Sequence, residues 1–90
     1  MRPAVILLEN EIDIVVAFIS SKLPDSAGPA AIAILQSDPG FGATGLKTDS
    51  VIKLDKIATI IRRMVAGVIG ELPETPRREI NRKMADLYRI

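Results

Sequence analysis

Arg2 and Ser20 or Ser21 are the residues of this chain whose types and spacing could do chemistry together. Arg2-Pro3 runs straight into the apolar stretch Ala4-Val5-Ile6-Leu7-Leu8, and a second apolar stretch, Ile12 to Ile19, ends in Ser20-Ser21-Lys22. If the two stretches form an antiparallel pair, the foot of the first meets the head of the second. A guanidinium, always charged, then stands beside a hydroxyl, with almost no loop between the strands. Taken alone, an arginine near an N-terminus and a serine at a strand end are common, and an ordinary strand pair remains the alternative.

Other chemistries find little support. The chain has no histidine and no cysteine, which removes the commonest general base, any Ser-His-Asp triad, disulfides and thiolate zinc sites. Asp13 stands between Ile12 and Ile14 as a turn residue, and no second carboxylate is spaced for paired acid–base work. Gly40-Phe41-Gly42-Ala43-Thr44-Gly45 matches G-x-G-x-x-G. In a dinucleotide site those glycines open a helix; here Asp49-Ser50-Val51-Ile52 follows and reads as a strand, so a flexible turn is expected. Gly45-Leu46-Lys47-Thr48 has one residue too many for the end of a P-loop. Arg62-Arg63 reads as a bend at a strand end. Arg77, Arg78, Arg82, Lys83 and Arg89 are interleaved with Glu79 and Asp86, the pattern of a solvated helix face rather than a phosphate-binding one.

The elements that must position Arg2 and Ser20 are short and aliphatic. Ninety residues make one domain, 1–90, whose thin core buries roughly 60–70% of the unfolded surface. Aromatic residues are 3% of the chain, so that core must be built of Ile, Val, Leu and Ala. A net charge of +1 gives no global pull toward nucleic acid or membrane. The apolar stretches are broken by Asp13 and Arg62-Arg63, short of the ~20 residues a membrane span needs, and the opening run is too short for a signal peptide. Absence of cysteine fits a cytoplasmic protein.

Strands are expected over 4–8, 12–19, 30–35 and 50–57, the last continuing through a bend at Thr59-Ile60-Ile61, with another short strand over Val65–Leu72. Pro- and Gly-rich loops fill 22–29 and 36–47. Thr75-Pro76 reads as an N-cap and first helical residue. Ile80, Met84, Leu87 and Tyr88 then form one apolar stripe, with Glu79/Lys83 and Arg82/Asp86 spaced as i,i+4 pairs. A mainly β fold with a C-terminal helix follows: a small, curled antiparallel barrel or sheet with the helix on one face.

The sequence resembles the PemK/MazF-like family of toxin endoribonucleases. Arg2-Pro3-Ala4-Val5-Ile6-Leu7 is similar to that family's Arg-Pro strand, and Val16-Ala17-Phe18-Ile19-Ser20-Ser21-Lys22-Leu23-Pro24 to its second strand. Gly45-Leu46-Lys47-Thr48-Asp49-Ser50-Val51-Ile52 and Ile69-Gly70-Glu71-Leu72, with the helix from Thr75, resemble two further stretches in the same order. The resemblance implies a small SH3-like barrel (PemK/CcdB-like), which could be incomplete at its N-terminal edge, because members carry another strand and loop before the Arg-Pro step. It implies a single, N-terminally shortened domain that cleaves single-stranded RNA by attack of the RNA's own 2′-hydroxyl, without metal or other cofactor. Arg2 matches the catalytic arginine and Ser20 the catalytic hydroxyl residue; Ser21, Lys22 and Lys56 would bind RNA. Implied partners are single-stranded RNA (mRNA), a cognate antitoxin peptide and a second copy in a homodimer, in the cytoplasm and away from membranes. The alternative is an inactive, shortened homologue that only dimerises or binds an antitoxin.

Overall fold

The computed structural model describes residues 3–22, 28–65 and 67–89. Four strands, β1 (Ala4–Glu9), β2 (Asp13–Ser20), β3 (Ala31–Ile34) and β4 (Ser50–Ile61), precede one helix, α1 (Glu74–Leu87). They form one antiparallel sheet in the order β1-β2-β4-β3, curled into half a barrel. The mainly β fold with a C-terminal helix is borne out, with β1 and β3 as the sheet edges.

A side-chain-closed turn joins β1 to β2. Asn10 Oδ1 accepts from the backbone N–H groups of Ile12, at 2.9 Å, and Asp13, at 2.8 Å. The Asn10 N–H donates in turn to the Asp13 carbonyl at 3.0 Å. An asparagine in this position substitutes for a backbone turn. The strand-end bend expected at Arg62-Arg63 is a 3-10 turn, Arg62–Met64. From it, Arg62 reaches back to this hairpin, donating to the Asn10 carbonyl at 3.1 Å and pairing with Glu9 at 2.9 Å. Both charged partners are about half exposed, so that pair contributes little.

β4 is one long strand with a pronounced bulge. Ala17 faces Ile57, yet the next residue, Phe18, faces Lys53. Leu54, Asp55 and Lys56 are therefore extra on β4. The bulge lets the first half of β4 pair with both β2 and β3, while the second half pairs with β2; such an insertion bends a strand and sharpens its twist. Leu54 N–H donates to Ala30 O at 2.8 Å. Its carbonyl, turned off the β2 ladder, accepts from the Tyr88 hydroxyl of the helix end.

The core is aliphatic, as composition demands. Ala17, Ile19, Ile32, Ile34, Ile52 and Leu54 from the sheet meet Ile80 from α1. Ile52 and Leu54 are 0% exposed, and full burial of such a side chain stabilises by about 1.5–3 kcal/mol. Met84 and Leu87 extend the α1 stripe against this cluster. Lys83 ties the helix to the sheet edge by donating to Ala31 O at 2.8 Å, while lying 3.5 Å from Glu79. Arg82/Asp86 is not among the described ion pairs; Glu74–Arg78 is.

Two local expectations are corrected. The helix begins at Glu74, with Pro73 as N-cap and no side-chain cap, so Thr75 and Pro76 lie inside the first turn. The first amides of a helix have no intrahelical partner, which makes the missing N–H of Pro76 harmless; the first closing bond is Arg77 N–H to Pro73 O, at 3.3 Å. The described residues of Val65–Leu72 form no strand. Gly67 and Gly70 weaken an extended ladder. Instead the segment leans on the loop before β4, where Glu71 N–H donates to Ala43 O at 2.8 Å. That contact needs Gly45, whose φ is +74° and where a Cβ would collide with the Ile69 carbonyl.

Candidate active site

β1 begins where β2 ends. Ala4 faces Phe18, and Ile19 N–H donates to Pro3 O at 3.2 Å. Arg2, the residue before this contact, lies outside the described residues. Ser20, the last residue of β2, is half-buried and faces Val51, which is 2% exposed. The ladder thus fixes its backbone from one side while its side chain keeps access to solvent. Ser20 Oγ accepts from the Lys22 N–H at 3.1 Å. This occupies one lone pair, and the O–H donates to no acceptor among the described residues.

Ser21 and Lys22 follow directly and are exposed in the bend after β2. Lys56 is exposed too, but it sits in the β4 bulge, without a partner across β2. Continued without the bulge, the Ala17–Ile57 register would have set Lys56 opposite Phe18; the inserted residues put Lys53 there instead. The structure therefore brings Ser20, Ser21 and Lys22 together, and adds two residues that the sequence did not single out.

Those residues are Phe18 and Lys53. Alternation along β2 places Phe18 on the same face as Ser20. Phe18 is 38% exposed, outside the core of a chain that has few aromatics. Across the sheet runs the row Ala4, Phe18, Lys53, Ala31. The alanines on either side leave both larger side chains unobstructed laterally. Alternation alone could have flagged Phe18; nothing short of the β4 register identifies Lys53.

Chemically, this corner offers a hydroxyl on a strand end, lysines at 22 and 53, and an exposed aromatic residue. A phosphate with an attached base is the sort of group such a set can hold. A separate hollow of about 320 Å³ between β3 and the start of α1, walled by Ile34, Phe41 and Pro73, contains none of these residues. Among the described residues no cluster of His, Cys, Asp or Glu could hold a metal ion, and no helix is long and apolar enough to cross a membrane.

A model of the PemK-like, MazF-like toxins of type II toxin–antitoxin systems matches residues 1–88. The chain belongs to this family. Its members are known as endoribonucleases, and membership implies an antitoxin partner and, in general, a dimer. Among solved structures, the chain is similar to a crystal structure of an Mtb toxin, with a TM-score of 0.78 and 18% identity over 97% of this chain and 92% of that one. It is also similar to the Mycobacterium tuberculosis toxin MazF-mt6, with a TM-score of 0.76 and 19% identity over 94% of this chain and 83% of that one. At these identities the likeness establishes the shared family fold alone. No curated protein matches the chain.

Proposed function

We propose that the chain is an endoribonuclease that cleaves single-stranded RNA without a metal. The RNA's 2′-hydroxyl attacks the adjacent phosphorus. A 2′-O–P bond forms, the P–O5′ bond breaks, the 2′-hydroxyl proton leaves and the 5′-oxygen takes one up. The strand ends become a cyclic phosphate and a free 5′-hydroxyl. Negative charge builds on the non-bridging phosphoryl oxygens, and groups already aimed at them lower the barrier. Arg2 supplies a guanidinium and Ser20 an O–H to those oxygens. Ser21, Lys22 and Lys56 hold the flanking backbone. Such a route suits a chain without histidine, since it asks for charge stabilisation first.

The observation that carries this reading is the register at the start of β1. Ala4 faces Phe18 and Pro3 is bonded to Ile19, so the strand end that carries Ser20 lies beside the start of β1. Family membership supplies the substrate class. The test is incubation of the pure protein with a long single-stranded RNA in EDTA, beside Arg2→Ala. Cleavage by the first, reduced about 10²–10³-fold in the second, is expected for loss of one preorganised group; equal rates would remove Arg2 from the mechanism.

A second reading, that the chain acts only by binding, has its own observation. β1 is a sheet edge, and Ile6 and Leu8 on it are 44% and 63% exposed. An open apolar edge invites a strand from another chain: a second copy, or an antitoxin peptide. Cytoplasmic location accompanies either role.

A further inference from the structure

We infer that Phe18 and Lys53 form a nucleotide-binding platform beside Ser20, on which a base of single-stranded RNA stacks while its phosphate meets the lysine. The inference rests on the endoribonuclease reading and deepens it.

A large aromatic side chain on a sheet usually finds the core. This one does not: Phe18 is 38% exposed, while its β2 neighbours Ala17 and Ile19 are 0% and 8% exposed. It lies two residues before Ser20, so the ring and the hydroxyl share a face, about 6–7 Å apart along the strand. Its cross-strand partner is a cation, Lys53, half-buried at its base by the ladder on both sides. Ala4 and Ala31 flank the pair, while in the next row Ser20 and Ala33 flank a buried Val51. The result is a shallow sheet face with one ring standing above it, one cation beside the ring, and a hydroxyl donor one step along.

Unpaired bases have their π-faces free, and stacking on a ring fixed to a sheet surface is how such surfaces hold single strands. A double helix would present no free base to the ring. The β4 bulge is what builds the pair, because it replaces Lys56 with Lys53 opposite Phe18. Substrate would then lie along β2, its scissile phosphate at Ser20 and a neighbouring base over Phe18.

The test uses a fluorescently labelled, fully 2′-O-methylated RNA oligonucleotide of mixed sequence, which cannot be cut by 2′-hydroxyl attack, so that binding is read apart from cleavage. Phe18→Leu should weaken binding by about 5- to 150-fold, and Phe18→Trp should retain it. Lys53→Gln should lower the slope of log affinity against log salt by roughly 0.7. Circular dichroism confirms that each variant is folded. Wild-type protein that cuts RNA while Phe18→Leu binds the oligonucleotide within twofold of wild type would overturn the platform and leave the nuclease intact. An unchanged salt slope for Lys53→Gln, or no binding by the wild type, would overturn it too. If Phe18→Leu instead dissociates a dimer and leaves oligonucleotide binding alone, the face belongs to a second copy and not to RNA.

Discussion

Ser20 combines a fixed backbone with a hydroxyl that donates to no acceptor among the described residues. Its position is set by Val51 across the ladder, and one of its lone pairs accepts from the Lys22 N–H. Ser20→Ala is expected to lower RNA cleavage about 10²–10³-fold, with no more than a small change in melting temperature. Ser20→Thr keeps the donor on a side chain stiffer at χ1 and should retain cleavage. Single-turnover rates on one defined RNA measure both; full activity in Ser20→Ala would exclude the hydroxyl from the reaction. Arg2→Lys offers a point charge where the reaction needs a planar fork, and should cleave the same RNA more slowly than wild type.

Among the elements, the β4 bulge has the widest consequences. It bends the sheet, chooses Lys53 over Lys56 as the partner of Phe18, and turns the Leu54 carbonyl toward Tyr88. Leu54 is fully buried, so Tyr88→Phe should cost about 1–3 kcal/mol for an acceptor left without its donor. Urea denaturation followed by circular dichroism reads this directly. The loop before β4 makes a second, independent test. Gly45→Ala meets both a left-handed backbone and the Ile69 carbonyl, whereas a Cβ at Gly42 meets nothing within 4 Å. The first substitution should destabilise markedly and the second little; equal effects would remove the close approach of residues 69–71 from the account.

The same elements show what the sequence could and could not reveal. β1, β2 and α1 were legible because alternation, β-branched residues and a stripe at helical spacing each point one way. The descent from Val65 to Leu72 reads as a strand because Val65, Val68 and Ile69 favour extended backbone. Two glycines and the contact with Ala43 hold it otherwise. Helix entry was misplaced because Thr75-Pro76 imitates a cap that Pro73 provides through its backbone. Ser20 was legible through its place at the end of β2 and through family resemblance. Lys53 was not, because a period of two cannot locate a three-residue bulge. That register is a tertiary outcome, set by β4 pairing with β2 and β3 at once.

At the scale of the molecule, a thin aliphatic core carries a surface site. Ile52 stands at its centre, paired with Ile19 and Ile32 and 0% exposed. Ile52→Ala should cost about 2–5 kcal/mol, a large share of the ~5–15 kcal/mol typical of a whole domain; a loss under 1 kcal/mol would mean that the sheet does not close around it. The membership implied by residues 1–88 ties this half-barrel to toxins of type II systems, and β1 is an edge of the sheet among the described residues. The central claim concerns chemistry, and one measurement reaches it directly: cleavage, in EDTA, of a defined single-stranded RNA and of the same strand carrying a single 2′-deoxynucleotide at the cut position. The account predicts that the all-RNA strand is cut to a 2′,3′-cyclic phosphate end and that the substituted strand survives at that position. Equal cutting of the two strands, or no cutting of either by folded protein, would contradict it.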